Sequence, residues 1–343
     1  MSGVTIKDVA ALAGVSLATA SRVLSGHPAT SSESRARVSA AAEQLDFRPN
    51  AQARSLRSAR TNVLGLLVSD VRNPFFADLA HSVEQAALQA GYVILLGNAN
   101  ELEDQQNRFL DTLIDQRVDG VIVAPQGDGK GSIRTLVNRG RPTVFVDRTV
   151  EGVNVPSVTT DSRPGIIQAV RHLADQGHRR IGYIAGPQSI STGRERYGAF
   201  ADALLETGLD QDPTLTVYGD FQLESGAAAT ERLLQLQDPP TAILAADSPM
   251  AIGAVAKLHE LGVRIGQDIA LVAFDNIDWF ALLNPALSVI AHSVEDMRRI
   301  AVDLLLRVID GEEPESVSLP SELIIRESSL RPHSDPAKSQ RKN

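Results

Sequence analysis

Apolar residues recur along this chain in two rhythms. Between residues 5 and 47 the spacing is helical, with Ile6, Val9, Ala10 and Ala13 sharing one face at i, i+3, i+4 and i+7. Thr5 can cap that helix, and Asp8 three residues later completes a Ser/Thr-x-x-acid box. Gly14 suits the left-handed position that ends it, while Ser16 is a ready N-cap for a second helix. Two short helices across a Gly-containing turn predict a helix-turn-helix, with an ordinary helical hairpin as the alternative. A third helix over Ser31–Phe47 turns Val38, Ala41, Ala42 and Leu45 inward, and Pro49 stops it.

From residue 61 onward the rhythm changes. Apolar runs of strand length fall at Val63–Val68, Tyr92–Leu96, Gly120–Ala124, Thr143–Val146, Ser157–Thr160, Arg180–Ala185, Thr214–Tyr218, Ala242–Ala245, Ala270–Phe274 and Ser288–Ala291. Helical patterns lie between them at Pro74–Ala90, Glu103–Gln116, Gly165–Gln176, Arg194–Thr207, Leu223–Gln235 and Pro249–Leu261. Such alternation predicts an α/β fold of doubly wound parallel sheets, which bind ligands at the carboxyl ends of their strands. The length suits two similar lobes with a cleft between them.

Charge sharpens the division. Residues 1–60 carry eight Lys/Arg against four acids, a net +4, while the whole chain is −9. Positive charge gathered at one end of an acidic protein favours phosphate contact there. The segment Asn50–Arg57 is too short for a stable isolated helix and has one sizeable apolar residue, Leu56, between Arg54 and Arg57. It is either a plain linker or a helix that folds only on a surface. The tail after Arg331 is polar, basic and without leucine heptads, which predicts disorder and a dimer.

Composition removes much chemistry. There is no cysteine, so thiol nucleophiles and disulfides are excluded. The seven histidines show no metal-ligand spacing beyond His172 and His178, and no metal or cofactor is expected. No G-x-S-x-G elbow, Walker loop or dinucleotide fingerprint is present, and Gly127–Gly131 fits no phosphate motif. An enzyme is not expected. Neither an apolar span nor a signal-peptide core is found, so the expected location is the cytoplasm of a bacterium, with no membrane partner.

The turns after the apolar strands hold what a polyhydroxylated ligand needs. These are Asn73, Phe75 and Phe76; Asp147 and Arg148; Arg194; Asp247; Phe274 and Asp275; and His292. Carboxylates and guanidinium forks satisfy hydroxyls, and aromatic rings cover the C–H faces of a sugar. Each residue also has a plainer reading. Asp147 and Asp275 could cap strand ends, Arg148 could lie on the surface, one of Phe75 and Phe76 could be core, and His292 could bond backbone; Asp247 is open in the same way.

The runs TIKDVAALAGVSLATASRVL, FRPNAQARSLRSART and VLGLLVSDVRNPFFADL resemble the lactose-repressor (LacI/GalR) family of bacterial transcription regulators, over Thr5 to about Arg331. The resemblance implies two lobes of periplasmic-binding-protein type behind an all-α DNA-binding domain. It implies a helix-turn-helix domain at 1–49, a hinge helix and linker at 50–60, and a bilobed effector and dimerisation domain at 61–331. Within the latter, the N-lobe would take about 61–161 plus 291–320 and the C-lobe about 162–290 plus 321–331, leaving a tail at 332–343. The helix from Ser16 would read a palindromic operator through Leu17, Ala18 and Arg22. Arg22 can fork onto a guanine edge, whereas Leu17 and Ala18 offer apolar contact or mere helix packing. Thr5, Thr19 and Ser21 would reach phosphates or backbone. Asn50, Arg54, Leu56 and Arg57 would form the hinge in the minor groove, Leu56 being the wedge that kinks the duplex.

Within that family the strand-end set is similar to the ribose-specific members, which implies ribose, a related pentose or a nucleoside as effector. Three positions depart from their pattern: Ala124 and Asp247 stand where asparagines are expected, and His292 stands for a glutamine. The expectation is therefore a homodimeric repressor of double-stranded operator DNA, controlled by a small sugar. The alternative is a sugar-binding module without direct gene regulation.

Overall fold

The computed structural model describes residues 4–25, 27, 29–47 and 60–330 and divides after Asn62 into two units. The first unit holds α1 (Ile6–Ala13), α2 (Leu17–Leu24) and α3 (Ser32–Gln44). Its sequence signals act locally. Asp8 Oδ2 accepts from the Thr5 amide at 2.7 Å and from its hydroxyl at 2.8 Å. Gly14 closes α1 at φ 62°, a left-handed turn that costs glycine nothing. The Ser16 hydroxyl accepts the Thr19 amide at 3.1 Å and opens α2. One long-range bond joins the pieces, from Arg37 Nη2 on α3 to the Gly14 carbonyl at 3.0 Å. Val9, Ala10, Ala13, Ala20, Val38 and Ala41 form the core, with Ile6, Leu24, Leu45 and Phe47 packed against it.

In the second unit every strand pair but one is parallel. The N-lobe comprises β1 (Val63–Val68), α4 (Pro74–Gln89), β2 (Val93–Asn98), α5 (Glu103–Gln116), β3 (Gly120–Val123), α6 (Ser132–Asn138), β4 (Thr143–Asp147) and β5 (Ser157–Asp161). The C-lobe follows with α7 (Arg163–Asp175), β6 (Ile181–Ala185), α8 (Ser191–Glu206), β7 (Thr216–Tyr218), α9 (Leu223–Leu234), β8 (Ala242–Ala245), α10 (Ser248–Glu260), β9 (Ala270–Phe274) and β10 (Ser288–His292). The chain then returns to the N-lobe with α11 (Val294–Ile309) and ends in β11 (Val317–Ile324). Strand order is β2-β1-β3-β4-β5-β11-β10-β9-β8-β6-β7.

Helices cover both faces of the N-lobe sheet, and the alternation of β1 shows it. Leu64, Leu66 and Val68 pack with Leu79 and Val83 of α4 and Met297 and Leu305 of α11. Leu67 points the other way, toward Leu110 and Leu113 of α5 and Ile133 and Leu136 of α6. The C-lobe core gathers Tyr183, Phe200, Leu244, Val272, Phe274 and Phe280 with their neighbours. Buried apolar runs such as these suit parallel sheets, whose strands lie between helix layers.

Three elements escape the sequence reading: α6, α11 and β11. The last carries Pro320, which argues against a central strand because proline donates no ladder bond. The structure uses that break. Val317–Pro320 pair parallel with β5, and Ser321–Ile324 pair antiparallel with β10, so one strand belongs to both sheets and changes partner after the proline. Ser321 anchors the change, donating to the Asp161 carbonyl at 2.7 Å and accepting the Gly165 amide at 3.1 Å.

Candidate functional site

In the first unit, α2 turns Leu17, Ala18 and Arg22 outward, while Ala20 is buried and Val23 and Leu24 pack inward. Ser21 lies on the same outward arc, half-buried. Leu17 is 42% exposed, so its part in the helix core is small. Thr5 and Ser16 are exposed and Thr19 is half-buried; all three take part in the cap bonds that order the turn. The expected hinge residues Asn50, Arg54, Leu56 and Arg57 lie outside the described residues.

In the second unit, the carboxyl ends of strands from both lobes converge on a narrow space of about 10 Å³. Asn73, Phe75, Phe76, Asp147 and Arg148 line it from the N-lobe, and Thr192, Arg196, Phe221, Asp247 and Asp275 from the C-lobe. The turns are cut close to shape. Asp147, Phe221 and Asp275 take φ of 64°, 64° and 70°, and behind them Asn100 and Glu101 take 52° and 57°. Such left-handed conformations cost non-glycine residues on the order of 1–3 kcal/mol each and persist where the surroundings impose them.

The two guanidiniums are held differently. Arg148 is not a surface residue; it is 3% exposed, and Glu101 grips it through both terminal nitrogens at 2.7 and 2.9 Å. Nη1 also donates to Gln126 Oε1 at 2.8 Å, and Gln126 in turn bonds Ser69 and Gln106. Burial works against the Arg148 charge, but Glu101 and the neighbouring aspartates together outweigh it and raise its pKa. Arg196 lies flat on Phe274, 3.7 Å from the ring centre, and donates to the Ala246 carbonyl at 2.7 Å. The Nε atoms of both arginines are buried without a hydrogen-bond partner among the described residues, although Arg148 Nε is 3.4 Å from Asp147 Oδ2. Unmet donors of this kind in a cleft call for a polar ligand.

The carboxyl groups divide their tasks. Asp247 caps α10 by accepting the Met250 amide at 2.9 Å. Burial, with the Asp275 charge adding to it, pushes its carboxyl up to about 8. The single Ser248 hydroxyl proton is shared between Asp275 Oδ2 at 3.0 Å and Asn73 Oδ1 at 3.1 Å. That second bond crosses from lobe to lobe. So do Arg72 Nη2 to Gln222 Oε1 at 2.8 Å and the Thr149 amide to Ser191 Oγ at 3.0 Å. The cleft is closed.

Three expected residues do not line the space. Arg194 is exposed and donates to the Gln188 carbonyl at 3.0 Å; its neighbour Arg196 points inward instead. The reason is helical phase. Ala199, Phe200, Ala203 and Leu204 follow Arg196 at i+3, i+4, i+7 and i+8 and are all buried, whereas no such stripe follows Arg194. That signal was present in the sequence. Phe274 and His292 are also set back from the space. His292 packs edge-on against Phe75, ring centres 5.3 Å apart, and makes no backbone bond: both ring nitrogens lack a partner among the described residues. Burial lowers its pKa. Thr192, Phe221 and Glu101 are the further residues of the site that sequence reasoning missed. Phe221 had a faint signal, an aromatic in an otherwise polar turn.

A roomier surface depression borders Val263, Pro285 and Leu330, at the amino ends of β9 and β10. Arg264 there is already paired with Asp268. The chemistry lies at the other end of the sheet.

Comparison with known proteins bears on both units. Residues 5–50 match the model for bacterial regulatory proteins, lacI family, and residues 170–329 that for a periplasmic binding protein-like domain. The transcriptional regulator GalR of Escherichia coli (strain K12) is 33% identical over 327 residues, 95% of each chain. The lac repressor dimer bound to operator and the anti-inducer ONPF aligns with a TM-score of 0.84 at 27% identity, over 96% of this chain and 100% of that one. A structure assigned as a ribose operon repressor from Burkholderia thailandensis is 32% identical over 77% of this chain and 99% of that one, with a TM-score of 0.70.

Proposed function

This chain belongs to the lacI family of bacterial regulatory proteins, and from that premise we propose that it is a homodimeric repressor released from or recruited to a palindromic operator by a small sugar in its closed cleft. Its relatives are DNA-binding transcription regulators, not enzymes, and no described helix is long and apolar enough to cross a membrane. The finer parts, a ribose-like effector and the residues that carry it, are the proposal.

The observation that carries it is the pair of buried guanidiniums, Arg148 and Arg196, with unmet Nε donors across a space walled by Phe75, Phe76 and Phe221. Ribose, a related pentose or a nucleoside would supply the missing acceptors and an apolar face. The likeness to the Burkholderia protein supports the same ligand class. Asn73, Asp147, Asp247 and Asp275 would hold hydroxyls, while Phe274 and His292 would set the second layer.

Operator contact would fall to Leu17, Ala18 and Arg22 for bases and to Thr5, Ser16, Thr19 and Ser21 for backbone. Asn50, Arg54, Leu56 and Arg57 would serve as the hinge. A single small head makes too few phosphate contacts for tight binding, so two copies are needed. Leu79 and Val83 on α4 are spent on the core of the lobe. A better place for a second copy is the edge strand β2, where Val93 is 61% and Leu96 50% exposed, since an uncovered apolar edge invites association.

Closing the cleft shifts the balance between two arrangements of the lobes, and linkage makes the effect reciprocal. Sugar must alter operator affinity by the factor by which operator alters sugar affinity. Fluorescence anisotropy with a palindromic duplex, with and without pentose, tests this directly. A protein that binds pentose identically with and without operator would instead be the free-standing sugar-binding module.

A further inference from the structure

Acid outnumbers base around the closed cleft. Asp147, Asp247 and Asp275 line it, and Glu101 stands against Arg148. Among the described residues that line it, only Arg148 and Arg196 oppose these four. His292, its charge disfavoured by burial, adds no cation. Even with Asp247 protonated, the remaining three carboxylates exceed the two guanidiniums.

The guanidiniums are also committed. Phosphate and carboxylate ligands are best recognised by an arginine that offers two parallel N–H donors as a fork. Both terminal nitrogens of Arg148 are spent on Glu101, and Nη1 on Gln126 as well. Arg196 gives Nη1 to the Ala246 carbonyl, and its Nη2 faces Asp147 at 3.8 Å. Arg148 keeps Nε and one Nη2 hydrogen and Arg196 keeps Nε and Nη2, but Asp147 stands beside both remaining edges, so an anion reaching either would meet a carboxylate already there. Glu101 is held to this task by its backbone, which takes the left-handed turn at φ 57° with its amide on the Ser69 carbonyl at 3.0 Å.

We infer that Glu101 and Asp147 make this cleft a selector for uncharged polyols, admitting a pentose or pentitol and refusing the corresponding sugar phosphate or sugar acid. The inference rests on the reading of the cleft as the effector site and names what that site accepts. Glu101 acts as a positioning residue: it fixes Arg148 and cancels its charge. Asp147, 3.4 Å from Arg148 Nε and 3.8 Å from Arg196 Nη2, supplies the carboxylate that an anionic substituent would have to face in a poorly screened interior.

Calorimetric titration of the full-length protein with D-ribose, ribitol, D-ribose 5-phosphate and D-ribonate tests this. The neutral pair should bind at least about 100-fold more tightly than the anionic pair, the size expected for one like-charge contact at an effective dielectric near ~20. In Glu101→Gln, which keeps the shape and an oxygen for Arg148, the gap should narrow about 10-fold or more. Asp147→Asn, nearly isosteric, should narrow it independently, and covers the case in which the first variant does not fold. An unchanged gap in a folded variant removes that residue from the role. Tighter binding of the phosphate or the acid by the parent protein overturns the selector while leaving the effector site intact. Failure of all four probes to bind overturns the effector reading itself.

Discussion

The helical head and the cleft hold their working residues in opposite ways. On α2, Leu17, Ala18 and Arg22 project from a helix whose geometry depends on Ser16 and Gly14, not on them. In the cleft the working residues are themselves the structure: Arg148, Asp247 and Asp275 are buried and bonded, and Glu101, Asp147 and Asp275 sit on strained turns. A contact surface laid on a self-sufficient helix can change its specificity without changing its fold. A cleft assembled from buried charges cannot, because each group there satisfies another.

The strongest test of this contrast is Glu101→Ala. It leaves Arg148 buried without its partner and should destabilise the second unit by about 3–5 kcal/mol in chemical denaturation, leaving operator choice untouched in the folded fraction. A loss under 1 kcal/mol would break the contrast, since the pair would then be dispensable. Arg22→Ala should do the reverse. Discrimination at one base pair should fall by about 1–3 kcal/mol in competition binding, while the melting temperature stays constant.

Asp247→Asn sharpens the comparison through pH. With the folded-state carboxyl at about 8 against an ordinary 3.8, the folded chain keeps a proton that the unfolded chain has already lost across that window. Stability therefore declines as pH rises from 3.8 toward 8. Asparagine removes the decline, so the variant's melting temperature should gain on the parent's between about pH 5 and pH 8, by ~2–4 °C for each kcal/mol removed. Parallel curves would show that Asp247 is not buried as described. Ser16→Ala should cost the head about 1 kcal/mol through loss of the α2 cap, visible as a lower helical signal in the isolated operator-free protein. Smallest of all, Arg194→Ala should leave sugar affinity and stability within about 0.5 kcal/mol, unlike its neighbour Arg196.

Legibility in the sequence follows the same division. The head could be read because its determinants are local: a cap, a glycine and an apolar spacing within one turn of each other. Strand positions in the lobes were readable for a related reason, since runs such as Val63–Val68 and Ala242–Ala245 are buried on both faces and carry no competing pattern. The cleft was readable as a set of strand ends but not as a geometry. Nothing local to Glu101 indicates that it meets Arg148, forty-seven positions later, because that pairing depends on the order of strands in the sheet. Arg196 was the exception, legible from the apolar stripe that follows it. Strand β11 was hidden by Pro320, a residue whose usual meaning is that no central strand exists.

That strand has a consequence for how the protein is made. During synthesis the head can fold as soon as it leaves the ribosome, but neither lobe can be finished until β11 emerges, because that strand closes both sheets at once. A prematurely terminated product would carry a competent head attached to two open-edged sheets. Such a molecule would meet the quality-control machinery before it could occupy the chromosome unresponsively.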